Sequence, residues 1–499
     1  MEEIADSSHE STTRPKRPRT CSVDRISGLP DFVLHQILSL LPMQEAVKTG
    51  VLSKRWEHLW ASVSDLDFIN SYVKADSYVN FVNRTLVLYE GSKIRKFFVD
   101  FACTDGLASH LDSWIRFAVR RKVEELDLFL FDHVSLDDPY ELPQHLYNNA
   151  YLTKLKLCFI HIRPRGLFSW RLLRSLSLSC IQLSDNLIQD ILSGSPSLEV
   201  LDLELIGGLQ HLNITSPSLK KLIIHDGDVD DQYDFMNLDS VVKISAPYLQ
   251  SLAMLGGWYR RIRLTNLPCL VHATLIFHIV YDPSDEDRYY DFLRELLEKL
   301  HHVKDLTIGS WCMQVLSTSE LKILPSPPSK RKSLILDTYL DKWDLPGIAN
   351  LRRSSFDLET LVVDMTFPSS TKFCALYDFE GENYWKSSLL HNLKTVKIVG
   401  FVASHHEMDL VQFLLKHSMV LEKMDFDGEN YWKSAKPFFQ CLLHNLKTDK
   451  IVSFIAGHDE MDLVQFMLKH VMVLEKMVIY SERLPDLKWR KCFMPEELL

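Results

Sequence analysis

A short pattern of leucines recurs along most of this 499-residue chain and limits the folds that are open to it. In each copy a leucine or valine is followed, three and five positions later, by apolar residues. The alternation over the last three positions predicts a strand with one face in a core. The copies begin at Leu152, Leu173, Leu198, Leu219, Leu249, Val303, Leu358 and Leu393. One short strand cannot bury its apolar face alone, so we expect these units to stack on one another.

The spacing of the copies predicts the architecture. Most copies lie roughly 20 to 35 residues apart, and helical stretches such as 287–302 and 407–417 separate some of them. We therefore predict an α/β solenoid over residues 69–375, of an irregular leucine-rich-repeat type with a parallel concave sheet and outer helices. The asparagine that usually follows such strands is missing, and Ile160, Ile181 and Ile206 stand near its place. An unrelated α/β domain is the alternative.

The same alternation of apolar residues predicts which side chains contact a binding partner. Side chains between the core leucines of a strand point away from the core, which is the concave side of a solenoid. The candidates for contact with a target are Lys154, Lys156, Ser175, Ser177, Asp202 and Glu204.

The segment before the repeats is dense in large apolar side chains. Leu34, Ile37, Leu38 and Leu41 follow a helical stripe after a Leu-Pro-Asp start, and a second short helix is expected over residues 43–50. A third helix, capped by Ser53, would place Trp56, Leu59 and Trp60 on one face. About forty residues make a poor core alone. The surplus apolar surface needs a partner, which is either the rest of this chain or another protein.

Residues 23–68 resemble an F-box in the form typical of large plant families. The resemblance rests on the Leu-Pro opening, on "ILSLLP" (residues 37–42) and on "VLSKRW" (residues 51–56). It implies docking on the Skp-family linker protein of a cullin-RING ubiquitin ligase, while Leu59 and Trp60 pack on the next domain. The interface residues that it implies are Leu29, Pro30, Ile37, Leu38, Leu41, Pro42, Val51, Leu52, Ser53 and Trp56.

The C-terminal part contains a duplication. Residues 389–424 and 442–477 are identical at 29 of 36 aligned positions. Both copies resemble the FBD module that ends many plant F-box proteins, with predicted bounds 376–424 and 425–485, followed by a tail over 486–499. Asp449 in the second copy replaces Val396, and a carboxylate in a core is costly. We therefore expect the strand around Asp449 to be frayed or displaced.

Composition and charge exclude several function classes. The formal net charge of −10 argues against general binding of nucleic acid. We find neither a signal peptide nor an apolar run that would span a membrane. The nine scattered cysteines form no CxxC pair, which is typical of a reducing compartment. Residues 1–22 are predicted to be a disordered basic tail, and its "RPKRPR" is a possible import signal. The expected location is the nucleus, the cytoplasm or both.

No motif in the sequence indicates catalysis or a cofactor. The acidic and histidine-rich stretches at 405–409 and 458–462 lack metalloprotease spacing, and there is no phosphate-binding glycine loop. We therefore predict a non-catalytic substrate-recognition adaptor of an SCF-type (Skp-cullin-F-box) ubiquitin ligase, with no cofactor and an unknown protein target. The alternative is a binding scaffold that acts outside a ligase and whose F-box-like helices only cap the solenoid. A third hypothesis is a co-receptor for an anionic small molecule at arginine clusters around 163–174 and 260–263.

Overall fold

Among the residues that this computed structural model describes, seventeen strands form one sheet that runs through almost the whole chain. The structure describes residues 26, 28–69, 74–102, 107–131, 140–226, 241–257, 261–278, 286–321, 327–338, 340, 344–366, 391–401, 406–407, 410–411, 414, 418, 420–427, 451–456, 477–481 and 491–493. Every neighbouring pair in the sheet is parallel except the last, which is antiparallel. The prediction of a parallel α/β solenoid is confirmed.

The elements are numbered in chain order. The strands of the main sheet are β1 (Asp65–Phe68), β2 (Lys96–Ala102), β3 (Glu125–Phe131), β4 (Lys154–Cys158), β5 (Ser175–Ser179), β6 (Val200–Glu204), β8 (Lys221–Asp226), β10 (Ser251–Gly256), β12 (His272–Phe277), β13 (Asp305–Gly309), β14 (Ser333–Asp337), β15 (Thr360–Asp364), β16 (Thr395–Val399), β17 (Lys423–Asp427), β18 (Ile451–Ala456), β19 (Met477–Ser481) and β20 (Lys491–Phe493). A small parallel sheet contains β7 (His211–Asn213), β9 (Val241–Ser245) and β11 (Arg261–Thr265). The helices are α1 (Asp31–Leu38), α2 (Met43–Lys48), α3 (Ala75–Leu88), α4 (Ala108–Arg120), α5 (Asp185–Gly194), α6 (Glu286–Lys299), α7 (Ser310–Leu321) and α8 (Asp344–Arg353).

Alternation within each strand builds the core. Leu155, Leu176 and Leu201 are direct partners in β4, β5 and β6, and each is fully buried. The residues on either side of them point away from the core, to the side of the sheet that the sequence predicted to be concave. We call this side the outer face of the sheet. All eight predicted copies of the pattern contain or lead into a strand of the main sheet. Each such strand therefore buries alternate side chains in the core and leaves the others accessible.

A left-handed residue ends several strands and replaces the missing asparagine. Phe159, Cys180 and Leu205 follow β4, β5 and β6 with φ near +50°. Their backbone N–H groups donate to carbonyl oxygens of the next unit at 3.1, 2.9 and 2.8 Å. The isoleucine after each of them is buried. Backbone hydrogen bonds between units therefore stabilise a turn for which the sequence offered no asparagine side chain.

The residue after the C-terminal cap of α4 has a left-handed backbone conformation, and a substitution there measures the energetic cost of that conformation. Lys122 is exposed, has a φ of +56° and follows the helix cap. We expect Lys122→Gly to raise the free energy of unfolding by about 0.5 to 1 kcal/mol, because glycine adopts this conformation without strain. Lys122→Ala is the matched control, since it removes the same side chain and keeps the strain. Equal stability of the two variants in urea denaturation would contradict this account.

The N-terminal segment differs in part from the three-helix expectation. Helices α1 and α2 form, but the predicted third helix is wrong: residues 54–58 form turns, and a 3-10 helix follows over Leu59–Ser62. The Ser53 hydroxyl has no hydrogen-bond partner among the described residues, so the expected helix cap is not made. Trp56 and Trp60 are nevertheless both buried. Packing of the two indoles against the core determines the backbone conformation of this segment and outweighs the helical spacing of its apolar residues.

The first FBD copy continues the main sheet. Strand β16 pairs with β15, β17 pairs with β16, and Val396 is fully buried. In the second copy the described strand β18 begins at Ile451, two positions after Asp449. Asp449 itself, the basic tail over 1–22 and most of 425–485 and 486–499 lie outside the described residues. The expectation that the strand around Asp449 is displaced stays a prediction.

Candidate partner-binding surfaces

Exposed apolar side chains are concentrated at the N-terminal end of the chain. In the described part of the protein, six of the fifteen exposed large hydrophobic residues lie between positions 26 and 52. They are Ile26 (58% exposed), Phe32 (65%), Ile37 (38%), Leu40 (85%), Val51 (88%) and Leu52 (65%), and we call them the N-terminal apolar surface. Such a concentration of exposed apolar side chains is typical of a surface that contacts a partner.

The opposite side of the same helices belongs to the core. Leu34 and Leu38 of α1, Met43 and Ala46 of α2, and Trp60 are all buried in the cluster that continues into the sheet. The Gln44 side chain donates to the Ile69 carbonyl oxygen at 2.6 Å, just after β1. The backbone N–H of Glu90 donates to the Ala61 carbonyl oxygen at 2.7 Å. The segment therefore caps the first strand with one side and presents its other side to solvent.

One ion pair joins the two ends of this segment. Arg55 donates to the Asp31 carboxylate from Nε at 3.2 Å and to the Leu29 carbonyl oxygen from Nη2 at 2.6 Å. The hydrogen bond from Arg55 lowers the pKa of Asp31. The turn that follows Val51 and Leu52 is thereby tied to the start of α1. This contact places the turn after Leu52 next to the start of α1, where Phe32 lies.

The ten residues that the F-box resemblance implied fall into three groups. Pro30, Ile37, Val51 and Leu52 are exposed. Leu29, Leu41, Pro42 and Ser53 are partly buried, while Leu38 and Trp56 lie in the core with little surface left for a partner. Ile26, Phe32 and Leu40 are exposed apolar residues that the sequence reasoning missed. Phe32 and Leu40 lie off the predicted core stripe of α1, and apolar residues off such a stripe are the signal that could have identified them.

The six predicted target contacts lie together on the outer face. Lys154 pairs with Ser175, and Lys156 pairs with Ser177, which pairs in turn with Asp202. Ser177 Oγ donates to Asp202 Oδ2 at 3.2 Å, and Ser179 Oγ donates to Glu204 Oε2 at 2.7 Å. The two lysines are exposed, and the other members of the set are partly buried. The predicted register of β4, β5 and β6 agrees with the structure.

Charges of both signs lie close together on this part of the outer face. The Lys96 ammonium lies 3.6 Å from the Asp67 carboxylate, and the Lys154 ammonium lies 3.2 Å from that of Glu125. Burial raises the pKa of Asp67, Asp127 and Asp202, with lysines nearby acting in the opposite direction. The outer face of β1 to β6 therefore carries charges of both signs, some of them joined in ion pairs.

Other chemistry is sparse in the described part of the chain. No group of three or more histidine, cysteine or acidic side chains there has the geometry to hold a metal ion. A hydrogen bond with Cys180 and burial raise the pKa of the Cys158 thiol, and burial raises that of Cys312, so both thiols stay protonated at neutral pH. No described helix is long and apolar enough to cross a bilayer.

Models of three known protein families match parts of this chain. Residues 26–67 match the F-box domain, and residues 111–274 match the family described as "FBD-associated F-box protein At5g56370, LRR repeats". The FBD family matches twice, over 387–426 and 436–479.

Curated relatives from Arabidopsis thaliana cover most of the chain. The putative F-box/LRR-repeat protein At3g18150 is 31% identical over 439 residues, which span 85% of this chain and 91% of the relative. The F-box/LRR-repeat protein At3g03360 is 32% identical over 76% of this chain and 81% of its own length. The putative F-box protein At1g49610 is 36% identical over 68% of this chain and 84% of its own. With an F-box ahead of a repeat sheet and two FBD matches after it, this chain belongs to the plant F-box/LRR-repeat proteins.

Proposed function

We propose that this chain is the non-catalytic substrate-recognition adaptor of an SCF-type ubiquitin ligase. Its N-terminal apolar surface docks on a Skp-family linker, and through that linker on a cullin. Its solenoid captures a target protein for ubiquitination and proteasomal degradation. An adaptor of this kind acts by raising the local concentration of the target's lysines near the conjugating enzyme. We propose the nucleus or the cytoplasm as its location.

The observation that carries the proposal is the two-sided packing of residues 26–62. The inner side caps β1, so the segment is fixed to the solenoid, and the outer side exposes Phe32, Leu40, Val51 and Leu52. Residues that serve only as a cap would bury their apolar side chains or carry a polar outer face. An exposed apolar outer face is the arrangement expected of a docking surface.

A scaffold that acts outside a ligase remains the second candidate function. Its support is the capping role itself, since Leu34, Met43 and Trp60 fill the end of the core as a solenoid cap would. The two candidates differ in whether the outer side of the cap has a protein partner.

Association with a Skp protein tests the proposal. The purified full-length chain is mixed with a plant Skp-family protein and passed over a size-exclusion column with light-scattering detection. We expect a 1:1 complex, which a cullin N-terminal region then enters. A full-length chain that is folded by circular dichroism and elutes apart from every plant Skp protein offered would contradict the adaptor function and favour the scaffold.

A further inference from the structure

The outer face of the main sheet changes character after β6. From β8 to β15 its middle row is Ile223, Ala253, Thr274, Thr307, Ile335 and Val362, paired strand to strand in this order. Leu255 and Ile276, partners in β10 and β12, add apolar area beside this row. All of these side chains are partly exposed, and none carries a charge. We call this set of eight residues the neutral panel.

The neutral panel contrasts with the charged part of the same face. On β1 to β6 the same middle row holds the charged residues Asp67, Asp127, Lys156 and Asp202. Apolar side chains on an open parallel sheet are unusual, since parallel sheets are normally covered on both faces. The neutral panel is therefore the part of the outer face that gains most from being covered.

Two carboxylates at one end of the neutral panel have no counter-charge among the residues that the structure describes. Asp337 of β14 and Asp364 of β15 are direct partners across the sheet. Burial, followed by the charge of Asp364, raises the pKa of Asp337. Asp364 accepts hydrogen bonds from the backbone N–H and the hydroxyl of Thr366 at 3.0 and 2.6 Å. Within the described part of the chain, neither carboxylate forms an ion pair with lysine or arginine.

We propose that the neutral panel binds an extended segment of the target protein whose apolar side chains cover it and whose lysine or arginine lies over Asp337 and Asp364. The inference rests on the proposed adaptor function and names the kind of sequence that its targets carry. Charge complementarity selects this occupant, because two adjacent carboxylates without an ion-pair partner in the described part of the chain attract a cation and disfavour an acidic segment.

The dimensions of the neutral panel set the length of the segment. Five strand spacings of about 4.8 Å separate β8 from β15, which gives a width of about 24 Å. An extended chain advances about 3.3 Å per residue, so about seven residues cross the panel. Alternate residues face the sheet, which calls for about three apolar side chains and one basic side chain at the β14–β15 end.

Labelled peptides measure this preference directly. The protein is the full-length chain in complex with its Skp partner, and the probes are seven-residue peptides that alternate Ile and Ser and end in Arg, Gln or Glu. We expect the Arg peptide to bind about tenfold more tightly than the Glu peptide in fluorescence anisotropy, with Gln between them. A chain that binds all three peptides equally, or none of them, would overturn the inference.

Charge reversal identifies the site. Asp337→Lys combined with Asp364→Lys is expected to reverse the order of the peptides, and the pair of asparagine substitutions is expected to abolish it. Asp190→Lys, at an exposed carboxylate on α5, is the matched control and is expected to leave the order unchanged. A preference for the Arg peptide that survives the two lysine substitutions would place the binding site elsewhere. Self-association of the chain that disappears in the lysine variant would show that a second copy of this chain covers the neutral panel. Skp binding, measured in parallel, stays intact in every variant, so failure here is distinguishable from failure of the adaptor function.

Discussion

Val51→Asp is expected to weaken binding of a plant Skp-family protein by about a hundredfold or more. Val51 is 88% exposed in the 3-10 turn after α2, beside the exposed Leu52. In a complex its side chain would lose water, and a carboxylate there adds a desolvation cost of several kcal/mol to the lost apolar contact. Isothermal titration of the full-length variant with the Skp protein measures the change.

A second valine provides the matched control for this experiment. Val87 on α3 is 83% exposed, almost as much as Val51, but it lies outside residues 26–62. Val87→Asp should leave Skp affinity unchanged, and both variants should unfold at the wild-type temperature because neither residue is buried. Equal loss of affinity in both variants would indicate a general effect of added charge, and no loss in either would remove Val51 from the interface.

Arg331→Leu is expected to raise the free energy of unfolding by about 3 kcal/mol. Arg331 lies three residues before Leu334 of β14, at the first position of its repeat. In the neighbouring units this position holds Val303 and Leu358, which are 1% and 4% exposed. Arg331 is 1% exposed, and no nitrogen of its guanidinium has a hydrogen-bond partner among the described residues.

The size of this effect follows from the cost of burying a charge. Burial lowers the pKa of Arg331 to about 10. A depression of roughly two units or more corresponds to about 3 kcal/mol against the charged form. Leucine removes that cost and restores the side chain that the repeat uses elsewhere at this position. Urea denaturation monitored by tryptophan fluorescence is expected to show a higher midpoint with an unchanged slope.

Two further variants separate burial of the charge from other causes. Lys330→Leu removes a neighbouring exposed charge and should change stability by less than about 0.5 kcal/mol. Leu358→Arg creates the same conflict one unit later and should lower stability by several kcal/mol. An Arg331→Leu variant that proves neutral or destabilising would contradict the stability argument.

Much of the architecture was predictable because its signals are local. The pattern from Leu152 to Leu393 identified eight strands of the main sheet, and the outward register of Lys156 and Ser177 followed from alternation. Strand β14 escaped the same search, because Arg331 occupies the position where the pattern requires a leucine. The three-helix expectation failed at residues 53–62, where burial of Trp56 and Trp60 outweighed helical spacing.

The candidate surfaces depend on contacts between residues far apart in the chain. The stripe of α1 predicted one apolar face containing Ile37 and Leu38 together, but the structure exposes the first and buries the second. That separation depends on where β1 and the residues around Ala61 pack, and helical period alone carries no such information. Likewise, Asp337 and Asp364 are distant in the sequence and become direct partners only when β14 and β15 pair.

By itself, the sequence determined the order of F-box, repeats and FBD, the parallel solenoid and the inward or outward direction of each residue in the predicted strands. These are properties of short windows, because the period of apolar residues directly reports which side of a strand is buried. Only the tertiary structure decided which side of α1 faces solvent, how the neutral panel is assembled, that Asp337 and Asp364 lie side by side, and that the Arg331 guanidinium is buried without a hydrogen-bond partner among the described residues. Those features depend on how separate units are brought together, since burial and pairing of a charge are set by neighbours that the local sequence does not contain.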